Sequence, residues 1–97
     1  MVTMVLLENQ TGNGDGTKRT YPGGVGTLYI EGTWDGATVE IKAASQDGGT
    51  SELKTLLNGT FTDPYEPQNF RVGKNSLVRA TLSNAGASTD ISVRIEM

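Results

Sequence analysis

The feature that most constrains this chain is an alternation of apolar and polar side chains, two residues long, that recurs along it. Ala37, Val39, Ile41 and Ala43 alternate with Thr38, Glu40 and Lys42, and Ile91, Val93, Ile95 and Met97 alternate with Ser92, Arg94 and Glu96. A period of two puts successive side chains on opposite faces of a strand, so each segment has one face for a core and one for solvent. Val78, Ala80 and Leu82 repeat the pattern among Leu77, Arg79 and Thr81, as do Leu28 and Ile30 among Thr27, Tyr29 and Glu31. Val2 to Leu7, Leu53 to Leu57, Thr60 to Thr62 and Asn69 to Val72 are weaker candidates. Together they predict about seven or eight short strands.

Turn-forming residues separate these segments. Asp35-Gly36 and Asn58-Gly59 suit two-residue hairpin turns that need positive φ, and Asp47-Gly48-Gly49 suits a slightly longer one. Pro22-Gly23, Gly73-Lys74-Asn75 and Asn84-Ala85-Gly86 supply further reversals. Reversals at intervals of roughly 8 to 12 residues are the spacing of an all-β sandwich or barrel. The stretch Ser51 to Leu57 begins with a capping serine but is too short to nucleate a helix well, and reads as a strand. Thr11 to Thr17 is glycine-rich and reads as a flexible loop.

With 97 residues the chain is one domain, residues 1–97, around a single core. That core is thin, because 35% of the residues are hydrophobic and none is a cysteine able to form a staple. For chains of this size, burial and conformational entropy nearly cancel, which makes self-association an expectation.

Several chemistries lack their residues. Without histidine or cysteine there is no Ser-His-Asp or Cys-His arrangement and no zinc site. The carboxylates of Asp35, Glu40, Asp47, Glu52 and Asp63 fall mostly in turns or on a solvent-facing strand edge, so a glycosidase pair is not expected. The sequence therefore predicts no enzyme and no cofactor. Gly12-Asn13-Gly14-Asp15-Gly16 lacks the lysine, hydroxyl and following helix of a phosphate loop, and the terminal glutamate of a calcium loop. Net charge is −3 with no basic stripe, which argues against nucleic acid. The apolar opening Met1 to Leu7 is too short to span a membrane and has no basic leader, so synthesis in a cytoplasm is expected.

Candidate contact residues come from the aromatics and the N-terminal segment. Trp34 precedes the Asp35-Gly36 turn and either caps the core or anchors a partner. Tyr29 lies opposite Leu28 and Ile30 and is exposed unless something covers that face. Tyr65, within Asp63-Pro64-Tyr65-Glu66-Pro67, sits on a proline-stiffened loop. Val2, Met4 and Leu6 belong to a segment apolar on both faces, which is either central in a sheet or covered by another chain.

The run Gly32-Thr33-Trp34-Asp35-Gly36-Ala37-Thr38-Val39-Glu40-Ile41, followed by Ser45-Gln46-Asp47-Gly48-Gly49-Thr50, resembles small structural proteins of tailed bacteriophages, notably capsid decoration or cement proteins and head-fibre domains. The likeness extends from about Val25 onward and rests on turn chemistry. It departs after the Asp-Gly turn, where Ser51-Glu52-Leu53 stands in place of an aromatic. The resemblance implies a jelly-roll-like antiparallel sandwich, commonly trimeric, that lies on the virion surface and stabilises the shell by binding the major capsid protein. Two alternatives remain: a carbohydrate-binding module using Tyr21, Tyr29, Trp34 and Tyr65, and a tail or baseplate domain of the same virion.

Overall fold

The computed structural model describes residues 3–44, 53–62 and 67–97. Its strands are β1 (Thr3–Gln10), β2 (Gly14–Asp15), β3 (Arg19–Thr20), β4 (Gly26–Thr33), β5 (Thr38–Ala44), β6 (Lys54–Phe61), β7 (Gln68–Phe70), β8 (Leu77–Ser83) and β9 (Asp90–Glu96). The described residues form two antiparallel sheets. One runs in the order β1-β9-β4-β7, and the other in the order β2-β8-β5-β6 with β3 also on β8.

Strands β2 and β3 are one interrupted strand. Both pair with β8, the advance from Asp15 to Arg19 spans the partners Thr81 to Val78, and the Gly16 amide donates to the Ala80 carbonyl between them. Counted so, the first strand pairs with the last, the second with the next to last, the third (β4) with the sixth (β7), and the fourth (β5) with the fifth (β6). The β4·β9 and β5·β8 pairs then close each sheet. A long hairpin rolled up in this way is a jelly roll.

The alternating segments become the inner faces of the sandwich. On β8 Val78, Ala80 and Leu82 are buried, on β9 Ile91, Val93 and Ile95, on β5 Val39 and Ile41, and on β4 Leu28 and Ile30. Tyr21, Trp34, Ala37 and Phe70 fill the core from the loops and the short strand. Tyr21 is fully buried, its ring edge-on to Phe70 at 5.6 Å between centroids. Its hydroxyl donates to the Gly24 carbonyl at 2.7 Å and lies 3.1 Å from the Phe70 carbonyl, and burial raises its pKa above the usual value.

Four local expectations are corrected. The N-terminal segment is an edge strand, not a central one. Two consecutive β1 steps, Val5 to Leu7, oppose one β9 step, Arg94 to Val93, so Leu6 is the extra residue of a bulge and both Leu6 and Leu7 turn inward. The bulge accounts for Leu6 and Leu7; Val5 is half-buried. Residues 11–17 do not stand off as a flexible loop, because Gly14–Asp15 joins the β8 ladder and Gly16 is wedged between Leu6 and Ala80. Asn58-Gly59 makes no hairpin: β6 runs through it, and the turn chemistry is absorbed by a register shift opposite Glu40 to Lys42. That continuous strand also merges the two separate segments expected over Leu53–Leu57 and Thr60–Thr62. The Asp47-Gly48-Gly49 turn lies outside the described residues.

Strand register sorts the loops into two ends. At the Gln10 end lie the β1–β2, β4–β5 and β8–β9 connections, beside the pairs Gln10↔Ile91, Thr33↔Asp90 and Thr38↔Ser83. At the Thr3 end lie the β3–β4 and β7–β8 connections, beside Thr3↔Glu96, Gly26↔Phe70 and Ala44↔Leu77.

Candidate functional site

Three surfaces follow from this arrangement: the outer face of the β1-β9-β4-β7 sheet and the two loop ends. On the outer face Tyr29 stands directly opposite Arg94, and the Arg94 guanidinium lies 4.4 Å from the centre of the tyrosine ring. Arg94 also pairs with Glu31 and, at 3.5 Å, with Glu96. Tyr29 is thus half-buried beneath a guanidinium held by two carboxylates. A shallow polar concavity of about 400 Å³ opens beside this group, lined by Asn9, Glu31, Gly32, Thr33, Asp90, Ser92 and Arg94.

The Gln10 end is a cap whose loops are hydrogen-bonded to one another. The Asp35-Gly36 turn forms as expected, with both residues at positive φ and the Ala37 amide donating to the Trp34 carbonyl at 2.9 Å. The Asp35 carboxylate accepts from the Ser88 amide, and Asn13 Oδ1 accepts from the Ala85 amide, each at 2.8 Å. At the centre is Thr89, the one buried polar residue among the described ones. Its hydroxyl donates to the Trp34 carbonyl and accepts from the Gly86 amide, both at 2.8 Å. Thr89→Val keeps the shape but leaves the Gly86 amide without its partner and takes one of two donors from the Trp34 carbonyl, and is expected to cost about 1–3 kcal/mol. Urea titration reads the loss, and amide exchange at Gly86 reads the loosened loop. Nearby, the Thr81 hydroxyl donating at 2.7 Å, and secondarily Arg79, hold the Asp15 carboxyl below its usual pKa.

The Thr3 end carries an open groove of about 490 Å³ between the β3–β4 and β7–β8 loops, lined by Pro22, Gly23, Gly24, Arg71, Val72, Gly73 and Lys74. The two loops are tied by the Tyr21 amide donating to the Ser76 carbonyl at 2.9 Å and the Asn75 amide donating to the Tyr21 carbonyl at 2.7 Å. Val25, next in sequence to Gly24, is exposed.

The structure disperses the residues singled out as contact candidates. Met4 (7% exposed), Leu6 (2%) and Trp34 (7%) are core side chains of the chain itself. Trp34 therefore takes the capping role and, like Met4 and Leu6, has almost no surface left for a partner. Tyr29 is on the outer face but covered by Arg94. Val2 and Tyr65 lie outside the described residues, as do Asp47, Glu52 and Asp63. Tyr21 and Trp34 are buried, so no line of stacked aromatics of the kind a sugar platform needs is formed among the described residues. No group of three or more Asp and Glu side chains converges as a metal site among the described residues. No described helix is long and apolar enough to cross a membrane. Arg71 falls within the strand expected over Asn69–Val72, but β7 ends at Phe70, and Lys74 sits in a loop where alternation carries no information; their shared position at one end becomes visible only with the strand order.

Neither protein-family models, nor curated proteins, nor solved structures yield a significant match to this chain.

Proposed function

We propose that the chain is a non-enzymatic structural protein of a virion, a decoration protein that binds the major capsid protein and stabilises the shell as a trimer. The observation that carries this reading is the jelly-roll strand order, the architecture of viral capsid domains among others. A fold alone does not set a function. The added support is the motif run from Gly32 to Ile41, which in this chain forms the end of β4, the Asp35-Gly36 turn and β5. The loop end it builds is held by hydrogen bonds to the β8–β9 connection, which stiffens the sandwich, and a stiff body loses little entropy when another of its surfaces docks. Modest contacts made by each of three subunits reinforce one another through multivalency.

The test is co-sedimentation of the purified protein with shells assembled from its cognate capsid protein, together with the native mass of the free species. A trimer that pellets with the shells and raises their disruption temperature is the expected result. A monomer that stays in the supernatant at every concentration overturns the reading.

A further inference from the structure

The described loops of the two ends differ in charge, while Glu96 on β9, ion-paired with Arg94, is a carboxylate at the Thr3 end. The described loops of the Gln10 end contain Asp35 and no lysine or arginine, and Asp90 follows immediately on β9. The described loops of the Thr3 end, residues 21–25 and 71–76, contain Arg71 and Lys74 and no carboxylate side chain. Lys18 and Arg19 lie toward the same end, Arg19 being paired with Val78. The chain as a whole is acidic, at −3, so this cationic end runs against its average.

We infer that the Thr3-end groove is a docking site for an extended acidic segment of a partner protein. The site is concave: its volume of about 490 Å³ lies within the roughly 300–1,000 Å³ of ligand clefts. Its two cations are exposed, and neither has an ion pair or side-chain hydrogen bond among the described residues. The other arginines are engaged: Arg79 with Asp15, Arg94 with Glu31 and Glu96, and Arg19 through its Nε to the Val5 carbonyl at 3.1 Å. The groove also has an apolar component in Pro22 and Val72, which suits a peptide better than a bare anion. Its walls approach closely, the Lys74 stem passing 3.3 Å from where a Gly23 Cβ would stand, so the ammonium is carried on a supported stem. A second copy of the chain is the less suitable occupant. Its acidic loops lie at the opposite end of the sandwich, and contacts between opposed ends build open filaments rather than the closed trimer proposed above.

The inference deepens the proposed function by naming the surface that meets the shell, but its test needs no shell. A synthetic oligoglutamate peptide is titrated into the full chain, followed by amide chemical shifts. The expected result is saturable binding with shifts confined to residues 22–25 and 71–74. Affinity falls at least about tenfold when salt is raised from about 0.01 M to about 1 M, as the screening length drops from roughly 30 to 3 Å. R71E/K74E is expected to abolish binding while leaving the melting temperature unchanged, since both side chains are solvent-exposed. Absence of binding at low salt, equal binding by R71E/K74E, or tighter binding of a single-stranded oligonucleotide than of oligoglutamate overturns the inference. Concentration-dependent self-association that R71E/K74E abolishes, without peptide binding, overturns it in favour of a second copy. Because the peptide assay is independent of the shell, failure here leaves the co-sedimentation result standing.

Discussion

Replacing Trp34 by alanine is expected to remove about 3–5 kcal/mol of folding stability, the cost of emptying a buried aromatic site. Domains of this class have only about 5–15 kcal/mol in total, so the variant loses much of its margin. The cause lies in position. Trp34 is 7% exposed, ends the segment after β4, and its carbonyl accepts from both Thr89 and the Ala37 amide, so its side chain and backbone together close the Gln10 end over the core. Urea denaturation monitored by circular dichroism measures the effect as a lower midpoint with an unchanged slope. A tryptophan held for a partner would behave differently, because truncating a surface side chain changes stability by only about 0.5 kcal/mol or less.

The second large effect is expected at Gly16. A Cβ there would overlap the Leu6 carbonyl oxygen and stand 2.8 Å from Leu7 Cδ2 and 3.1 Å from the Ala80 carbonyl oxygen. Two of these three neighbours are backbone, one on β1 and one on β8, so neither moves without disturbing a strand. Gly16→Ala is therefore expected to cost about 1–3 kcal/mol by overpacking and to weaken the Gly16 amide bond to Ala80. Gly12→Ala is the matched control. Nothing lies within 4 Å of its would-be Cβ, and its change should stay within about 0.5 kcal/mol. Thermal denaturation of the two variants separates a wedged glycine from one in a loose loop, where both substitutions would be nearly neutral.

These two residues also mark how far the sequence reaches. Strands β4, β5, β8 and β9 were legible because each has one core face and one wet face, and a strict period of two records that directly. The Asp35-Gly36 turn was legible because its two residues accept positive φ at little cost. Leu6 and Leu7 misled because a bulge breaks parity, and a broken period is indistinguishable in sequence from a strand buried on both faces. Gly14–Asp15 and Arg19–Thr20 were missed because two residues are too few to show any period; their strand character comes from β8 lying alongside. Asn58-Gly59 shows the opposite failure, a strong local turn signal taken up by a register shift inside β6 without reversing the chain. Tyr21 reads in sequence as a surface aromatic among Thr20, Pro22 and Gly23. It is buried because strand order brings Phe70 and the Gly24 carbonyl to it from other segments.

The candidate site was less legible than the fold for the same reason. Trp34, Met4 and Leu6 were conspicuous as large apolar side chains, and large apolar side chains in a thin core are used by the core first. Arg71 and Lys74 were inconspicuous as single charges in a loop. Only the rolled-up strand order shows that they share an end with no carboxylate in its described loops. The proposed contacts with a partner therefore move from the buried side chains of β1 and from the tryptophan loop to the groove at the Thr3 end.

Amide hydrogen exchange, measured on the free protein and after mixing with shells of the proposed capsid partner, is the most direct test of these proposed contacts. Added protection is expected over residues 21–25 and 71–76, with the core strands β8 and β9 already slow in both states. Protection centred on β1 and the 34–37 turn, or none at all on mixing with the shell, would contradict that expectation.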